Sequence, residues 1–483
     1  METFSLWIDG KEKAAESGET FGVVNPATTQ VFANVAKGGD ADVDAAVAGA
    51  RKAFDEGPWR WLRTPERSAI LFRFAELIRR DLEVIAQAET QNVGKPISDS
   101  RGEVESGAYC FEYYAGAIGK FTGETIPVSA GGFDFTLREP IGVVSAIVPW
   151  NFPFAMACWK CAPALAAGNT VILKPASYSP LSAYHLVRLG QEAGIPPGVF
   201  SLVTGPGSTT GQALVEHKGV DKISFTGETT TGAGILKATA DDIKRVSLEL
   251  GGKSPNIVFA DADVEKAARS SVLAVFGNAG QDCCARSRAF VERSVYDQFV
   301  EAFIDQTKKT KFGDPLDPET EIGPLVSMNQ RETVCGYIDI AKEEGATLAY
   351  GGDVPTGEAY DAGSYLRPAI FTNARNEMRS SQEEIFGPVL SVIPFDDEAA
   401  MIREANDCEY GLSGSIWTTN LDRALRVAKQ VRSGVISVNS NSSVHVEAPF
   451  GGFKKSGIGR DLGMYGLNTF TEVKNVFIAT EDR

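Results

Sequence analysis

The sequence predicts an α/β protein built from two domains, each around a mostly parallel sheet. Three observations carry that expectation. From Gly142 onward, short β-branched runs alternate with helical stretches. The alternation restarts after a glycine-rich turn at Glu249–Lys253, and the connections are short and contain Gly or Pro. Alternation of this kind means βαβ crossovers, which cover a parallel sheet on both faces. With 483 residues, 43% of them hydrophobic, the chain is long enough for two or three cores.

In chain order, "GVVSAIV" and "NTVILKP" read as strands, and "SPLSAYHLVRLGQEAG" as a helix. "VFSLVTG" is a strand, "TTGQALVEH" a helix, "DKISFTG" a strand, "TTTGAGILKATA" a helix and "RVSLELGG" the closing strand. The second series runs through strand "PNIVFA", helix "DVEKAARSSVLAVFG" and strand "RAFVE". In the next helix, "SVYDQFVEAFIDQTKK", Val295, Phe299, Val300, Phe303 and Ile304 share a face, with a capping box expected from Ser294 and Asp297. "LSVIPF", "GLSGSIWT" and "GVISVNS" are further strands. Two β-rich pieces, "PVSAGGFDFTLREP" and "TFTEVKNVFIAT", fit neither domain. Unpaired edges need cover, so these pieces are expected to extend a partner subunit's sheet.

A net charge of −16 argues against nucleic-acid and anionic-membrane partners. The start "METFSLWIDGKEK" has no signal-peptide pattern, and the uncharged stretch 141–159 is broken by Pro149, Asn151 and Pro153. A soluble, cytoplasmic protein is expected. Seven cysteines, odd in number and irregularly spaced, are expected to be reduced thiols. "CWKC" (158–161) lacks a second ligand pair and lies on an apolar helical run, so packing is expected there and no metal.

Ligands of open α/β sheets bind at the carboxyl ends of the strands. Those ends are "VPWNFP", "LKPAS", "SFTGE" and "LELGG", which hold Asn151, Lys174 and Glu249. "GPGSTTG" approaches a dinucleotide fingerprint without matching it. "NAGQDCCARS" sets Cys283 beside Cys284. Taken with "EEIFGPV" and "PFGGFKKSGIGRDLG", these motifs occur in the order and spacing of the aldehyde dehydrogenase superfamily, which the chain resembles over essentially its whole length.

The resemblance implies a Rossmann-like dinucleotide-binding domain at 1–121 and 142–250, a catalytic domain at 251–448, and a small β oligomerisation element at 122–141 and 465–483, with assembly as a homodimer or homotetramer. It makes Cys283 the nucleophile. A thiolate adds to an aldehyde carbonyl, the oxyanion formed can release hydride toward a nicotinamide, and the thioester left behind is readily cleaved. Asn151, with the backbone N–H of Cys283, is the implied oxyanion donor. Glu249 is the implied base that activates water, and it points to a free carboxylic acid product where coenzyme A-acylating relatives generally lack this residue. Lys174 completes the implied catalytic set and meets the ribose.

The implied cofactor contacts are Val148, Pro149, Trp150, Lys174, Ser177, Gly207, Gly211, Phe225, Gly227, Glu228, Leu250, Gly251, Glu384 and Phe386. Two of them depart from the commonest NAD-type pattern. Ser177 replaces a glutamate that repels a 2′-phosphate, and Glu228 adds a carboxylate near the pyrophosphate. NAD is expected, with NADP admitted. Phe152, Met156 and Trp159 share a helix face and by resemblance line the aldehyde tunnel with Asp282, Cys284 and Phe450, with the loop "NSSVHVE" near its mouth. With no arginine evident in the tunnel, a neutral aliphatic or aromatic aldehyde is expected. The alternatives are an aminoaldehyde or betaine aldehyde, a semialdehyde, coenzyme A acylation, or a non-catalytic member of the fold.

Overall fold

The β-branched runs form two sheets, and in the computed structural model, which describes residues 1–442 and 444–480, they change over at the glycine-rich turn. The first sheet has eight strands in the spatial order Gly457–Ile458, Arg245–Glu249, Lys222–Thr226, Val143–Ile147, Thr170–Lys174, Phe200–Leu202, Leu6–Ile8 and Lys11–Lys13. Its five middle strands are parallel. They are buried almost throughout, which is why they are rich in β-branched and aromatic residues and carry small or hydroxyl side chains in place of a solvated polar face. Strand order reverses at Val143–Ile147, so the crevice of this sheet opens just before Asn151.

The second sheet has seven strands, in the order Thr347–Gly351, Ala369–Thr372, Val389–Phe395, Arg288–Glu292, Pro255–Val258, Ser413–Trp417 and Val435–Val438. Only the Thr347–Gly351 edge is antiparallel. The helix Tyr296–Lys309 buries Phe299 and Phe303 on this sheet's core, with Val300 and Ile304 packed partly against it. Its start corrects the expected capping box. A 3-10 turn at Arg293–Val295 leads into the helix, and the capping position is Val295, with no side-chain bond.

The two β-rich pieces come together within this chain. Thr471–Ala479 pairs antiparallel with Gly132–Pro140 within this chain, and Thr125–Ile126 completes a three-stranded sheet. The tail therefore covers the hairpin's edge from inside the same subunit; residues 481–483 of the expected element lie outside the described residues. The chain's return is equally informative. Gly457–Ile458 pairs with Leu248–Glu249, so the sequence after the second sheet closes back on the first.

Among the described residues no helix is long and apolar enough to cross a membrane. The uncharged stretch resolves into a strand, a turn and the helix Pro153–Ala166, every residue of which is buried. Cys158 and Cys161 of "CWKC" pack in that core, as free thiols that burial holds well above the usual thiol range.

Candidate active site

Two cavities meet at one cysteine. A cavity of about 330 Å³ opens at the carboxyl ends of the first sheet and is lined by Pro149, Trp150, Asn151, Gly227, Glu228 and Leu250, with Gly251, Glu384 and Phe386 among the rest. A second, of about 480 Å³, is lined by Trp159, Asp282, Cys284 and Phe450 among others. Phe152, Met156 and Cys283 belong to both.

Cys283 follows a turn of uncommon backbone. Asn278, Ala279 and Gly280 are all left-handed, at φ 50°, 54° and 71°. A non-glycine residue held there costs on the order of 1–3 kcal/mol, so the surroundings must impose it. They do so with hydrogen bonds. Asn278 Nδ2 donates to the Asn151 carbonyl at 2.9 Å, Gln281 Nε2 donates to the Asn278 carbonyl at 2.9 Å, and Gln281 Oε1 accepts from Val326 N at 2.9 Å. Gly280 has no room for a side chain, since a Cβ would meet the Gly387 carbonyl.

Asn151 is buried, and its Nδ2 donates to the Gln281 carbonyl at 3.0 Å. An amide nitrogen carries two protons, so one remains for a ligand. The backbone N–H of Cys283 has no acceptor among the described residues. Two donors are thus left unspent beside the Cys283 thiol. In the resting site the Cys283 pKa is raised well above the ordinary thiol value, first by its hydrogen bond with the Cys284 side chain and then by burial.

Glu249 ends the strand Arg245–Glu249 and is 5% exposed, which excludes the solvated surface carboxylate. Its carboxyl lines neither cavity. Oε1 lies against Gly451, where a Cβ would come within 2.6 Å, and Oε2 is buried without a partner. Burial and the nearby Asp461 push its pKa well above the carboxylate range, opposed by Lys160 and Arg460. Lys160 and Asp461 form a buried ion pair at 3.0 Å. The following turn needs glycine at two close approaches. A Cβ on Gly252 would strike the Cys283 carbonyl, and one on Gly251 would strike the Glu384 carboxylate.

Glu384 Oε1 accepts from Gly252 N at 3.0 Å, and burial pushes its pKa up to about 7. Phe386 stands edge-on to Trp150, ring centroids 5.2 Å apart. Lys174 is fully enclosed; its Nζ donates to the Pro175 carbonyl at 3.0 Å and burial pushes its pKa down to about 8. Gly211 approaches the Lys174 side chain, the Ser177 hydroxyl donates to the Gly205 carbonyl at 3.1 Å, and Gly207 faces open space. These four residues lie beyond the lining of the 330 Å³ cavity. Val148 and Phe225 belong to hydrophobic cores, so their side chains pack and do not face the cavity. Glu228 caps the helix Thr229–Ala238, is exposed, and accepts from the Thr230 hydroxyl. A dinucleotide fits these groups: the cavity offers the orphaned buried hydroxyl of Thr226, the Glu384 carboxylate as acceptor and small residues where backbone can approach a ligand.

The larger cavity holds residues that the motifs did not reveal. Ser98, Asp99, Gly102, Glu103 and Ser106, spaced along one face of the helix Ile97–Ala117, line it. Gln330, Thr333 and Tyr337, again at helical spacing, line the smaller cavity. Arg286 also lines the larger cavity, which corrects the expectation of no arginine there; its guanidinium is engaged, with Nε donating to the Ser415 hydroxyl at 2.7 Å and NH1 to the Cys284 carbonyl. Trp159 and Phe450 pack edge to face at 5.2 Å. From the loop "NSSVHVE", Asn441, Ser442 and Val444 reach the cavity, and Ser443 lies outside the described residues.

With this geometry in hand, comparison with known proteins is specific. The Aldehyde dehydrogenase family profile matches residues 13–476. A betaine aldehyde dehydrogenase of Bacillus subtilis is 44% identical over 478 residues, covering 99% of this chain and 98% of that protein. An indole-3-acetaldehyde dehydrogenase of P. syringae, solved in complex with NAD+ and IAA, superposes with a TM-score of 0.97 at 44% identity, covering 99% and 96% of the two chains. An NAD-dependent aldehyde dehydrogenase from Sinorhizobium meliloti gives a TM-score of 0.97 at 40% identity, covering 99% and 95%.

Proposed function

The chain belongs to the aldehyde dehydrogenase family, and on that basis we propose that it oxidises an aldehyde to the carboxylic acid with NAD+, through a thiohemiacetal and then a thioester on Cys283. The observation that carries this reading is that Cys283 is the one nucleophile common to both cavities. The bound dinucleotide supplies the two-electron acceptor that takes the thiohemiacetal to the thioester. Pro149, Trp150, Gly227, Leu250, Gly251, Glu384 and Phe386 would hold it, with Lys174 and Ser177 further along the strand ends.

The protein's own groups account for the rest. The Cys283 thiol gives up its proton and its sulfur attacks the carbonyl carbon. Negative charge then gathers on the carbonyl oxygen, where the second Asn151 amide proton and the Cys283 N–H are available to meet it. Glu249 takes a proton from the water that cleaves the thioester. For this its carboxyl must turn from Gly451 toward Cys283, and its unpartnered Oε2 leaves no hydrogen bond to break in doing so.

The substrate is a neutral aliphatic or aromatic aldehyde. Phe152, Met156, Trp159 and Phe450 supply apolar walls, and Asp99 and Asp282 repel a substrate carboxylate, Glu103 being paired with Lys95. One observation favours a second reading, an aminoaldehyde or betaine aldehyde: those same carboxylates, beside aromatic faces, would attract a cationic tail. The exposed apolar side chains of the three-stranded sheet, among them Phe133, Leu137, Val473 and Phe477, support a homodimer or homotetramer.

The test is formation of reduced nicotinamide from a panel of neutral, cationic and carboxylate-bearing aldehydes, with NAD and NADP in parallel and Cys283→Ser as control. Turnover lost in that variant is the expected result. Highest kcat/KM for succinic semialdehyde would overturn the substrate assignment, and absence of turnover with every aldehyde would overturn the reaction.

A further inference from the structure

Cys284 has no part in the reaction above, yet its sulfur shares the space of the nucleophile. The Sγ atoms of Cys283 and Cys284 and a carboxylate oxygen of Asp282 all lie within 4.8 Å of one another. Among the described residues no other group of three or more His, Cys, Asp or Glu side chains brings its ligand atoms that close. All three residues line the 480 Å³ cavity. Building on the assignment of Cys283 as nucleophile, we propose that Asp282, Cys283 and Cys284 form a site for one thiophilic divalent cation of the zinc or cadmium class, whose binding reversibly shuts the enzyme off.

The donor set decides the class of ion. Two sulfurs and one oxygen suit a tetrahedral, borderline-soft cation and not magnesium or calcium, which take oxygen ligands. Three protein ligands leave the fourth position to water, and the cavity supplies the opening. With zinc–sulfur bonds of about 2.3 Å, two thiolates of a tetrahedron stand roughly 3.8 Å apart. That separation lies inside the observed span, so small side-chain rotations suffice. A disulfide between the same neighbours is far less favoured, because consecutive Cα atoms about 3.8 Å apart fall short of the usual range of about 4.4–6.8 Å.

The local bonding prepares the exchange. The Asp282 carboxylate is folded back by accepting from Cys284 N at 2.8 Å, and it is also bonded to the Cys283 side chain. Cys283 is in turn bonded to the Cys284 side chain, which the Arg286 guanidinium also reaches. Two thiol protons therefore sit where a dication would. Binding releases both of them, forms two metal–sulfur bonds and one metal–oxygen bond, and changes no oxidation state. The cation ties up the nucleophile on the aldehyde side of the site. Inhibition is accordingly competitive with aldehyde, while dinucleotide binding persists.

The test is titration of the reduced, metal-free protein with cadmium, reading thiolate-to-cadmium charge-transfer absorption and calorimetric stoichiometry. We expect one cadmium per chain with the intensity of two thiolates. Cys284→Ser and Cys283→Ser should each retain half that intensity, and Asp282→Asn should keep the intensity with affinity weakened at least about tenfold. Full intensity in either serine variant, or one-thiolate intensity in the parent protein, would overturn the site. In the activity arm, zinc should inhibit competitively with aldehyde and be reversed by a chelator. Cys284→Ser, measured against its own uninhibited rate, should need at least about tenfold more zinc; equal sensitivity would overturn the proposal. The two readings fail separately. A two-thiolate cadmium signal without any aldehyde turnover removes the dehydrogenase assignment alone, and turnover without that signal removes the cation site alone.

Discussion

Replacing Glu249 by Gln should separate the two halves of the proposed reaction. The substitution keeps the shape of a side chain that is 5% exposed and removes its capacity to accept a proton. Formation of the thioester draws on Cys283 and Asn151 and should proceed. Hydrolysis loses its base and should slow by about 10²–10⁴-fold, the usual contribution of positioned acid–base catalysis. Rapid mixing should therefore show a burst of one reduced nicotinamide per subunit, followed by a steady rate lower by that factor. The parent protein's rate should rise with pH as the carboxyl ionises from its raised pKa, and the variant should lose that rise. Stability responds with a definite sign. A buried carboxyl with a raised folded pKa holds a proton that the unfolded chain has released, so stability falls as pH climbs from the unfolded to the folded value, by about 1.4 kcal/mol per pH unit. Glutamine has no such loss, and Glu249→Gln should melt at a higher temperature than the parent at neutral pH. A steady rate equal to the parent's, or loss of the burst itself, would refute the assignment of Glu249 to hydrolysis.

Three further outcomes are expected. Asn151→Ala should lower kcat by about 10²–10³ while dinucleotide affinity, measured by fluorescence titration, stays put; an equal loss in both would mean that Asn151 chiefly holds the Asn278–Gln281 turn. Affinity of the free protein for NAD should be greatest between about pH 7 and pH 8, because Glu384 accepts bonds once ionised above about 7 and Lys174 donates while protonated below about 8; a flat titration across that window would remove both from the cofactor contacts. Ser177→Glu should weaken NADP binding far more than NAD binding, since the added carboxylate would face a 2′-phosphate. Equal effects on the two would place the adenosine ribose elsewhere.

The fold was legible where burial is complete. Strands such as Val143–Ile147 and Lys222–Thr226 are buried along their whole length, with Val143, Val144, Ile147, Ile223 and Phe225 marking them as β-branched or aromatic runs, and glycine-containing connections mark their ends. The cap at Ser294 misled because its spacing was right while the backbone there turns as a 3-10 helix and starts the α-helix two residues later. The mutual pairing of tail and hairpin was hidden for a different reason. Pairing between residues 132–140 and 471–479 spans more than three hundred positions, and no local pattern encodes its partner. The site divides in the same way. Motifs at strand ends exposed Asn151, Lys174 and Glu249, whereas Asp99, Glu103, Gln330 and Tyr337 sit on helices whose polar, evenly spaced faces look like solvated surface until a cavity is found against them.

The turn at 278–280 explains why Cys283 is reached from both cavities. Asn151 comes from the end of the first sheet's central strand, Cys283 from the segment entering the second sheet, and neither sheet alone fixes their separation. The fixing is done by reciprocal bonds, Asn151 Nδ2 to the Gln281 carbonyl and Asn278 Nδ2 to the Asn151 carbonyl, which hold the two segments at 3.0 and 2.9 Å. Three successive left-handed residues are the backbone cost of aiming the Gln281 carbonyl at Asn151 while leaving the Cys283 N–H without an acceptor. A relaxed helical continuation of Val264–Phe276 would instead place the 281–283 amides in its own hydrogen-bond ladder. The strain at Asn278 and Ala279 is thus tied to one outcome, an unspent backbone donor next to the proposed nucleophile. Asn278→Gly, which relieves the left-handed penalty and deletes the bond to Asn151 together, should stabilise the turn less than a conformationally strained site would suggest and still lower kcat, because position and not strain is what the chemistry uses.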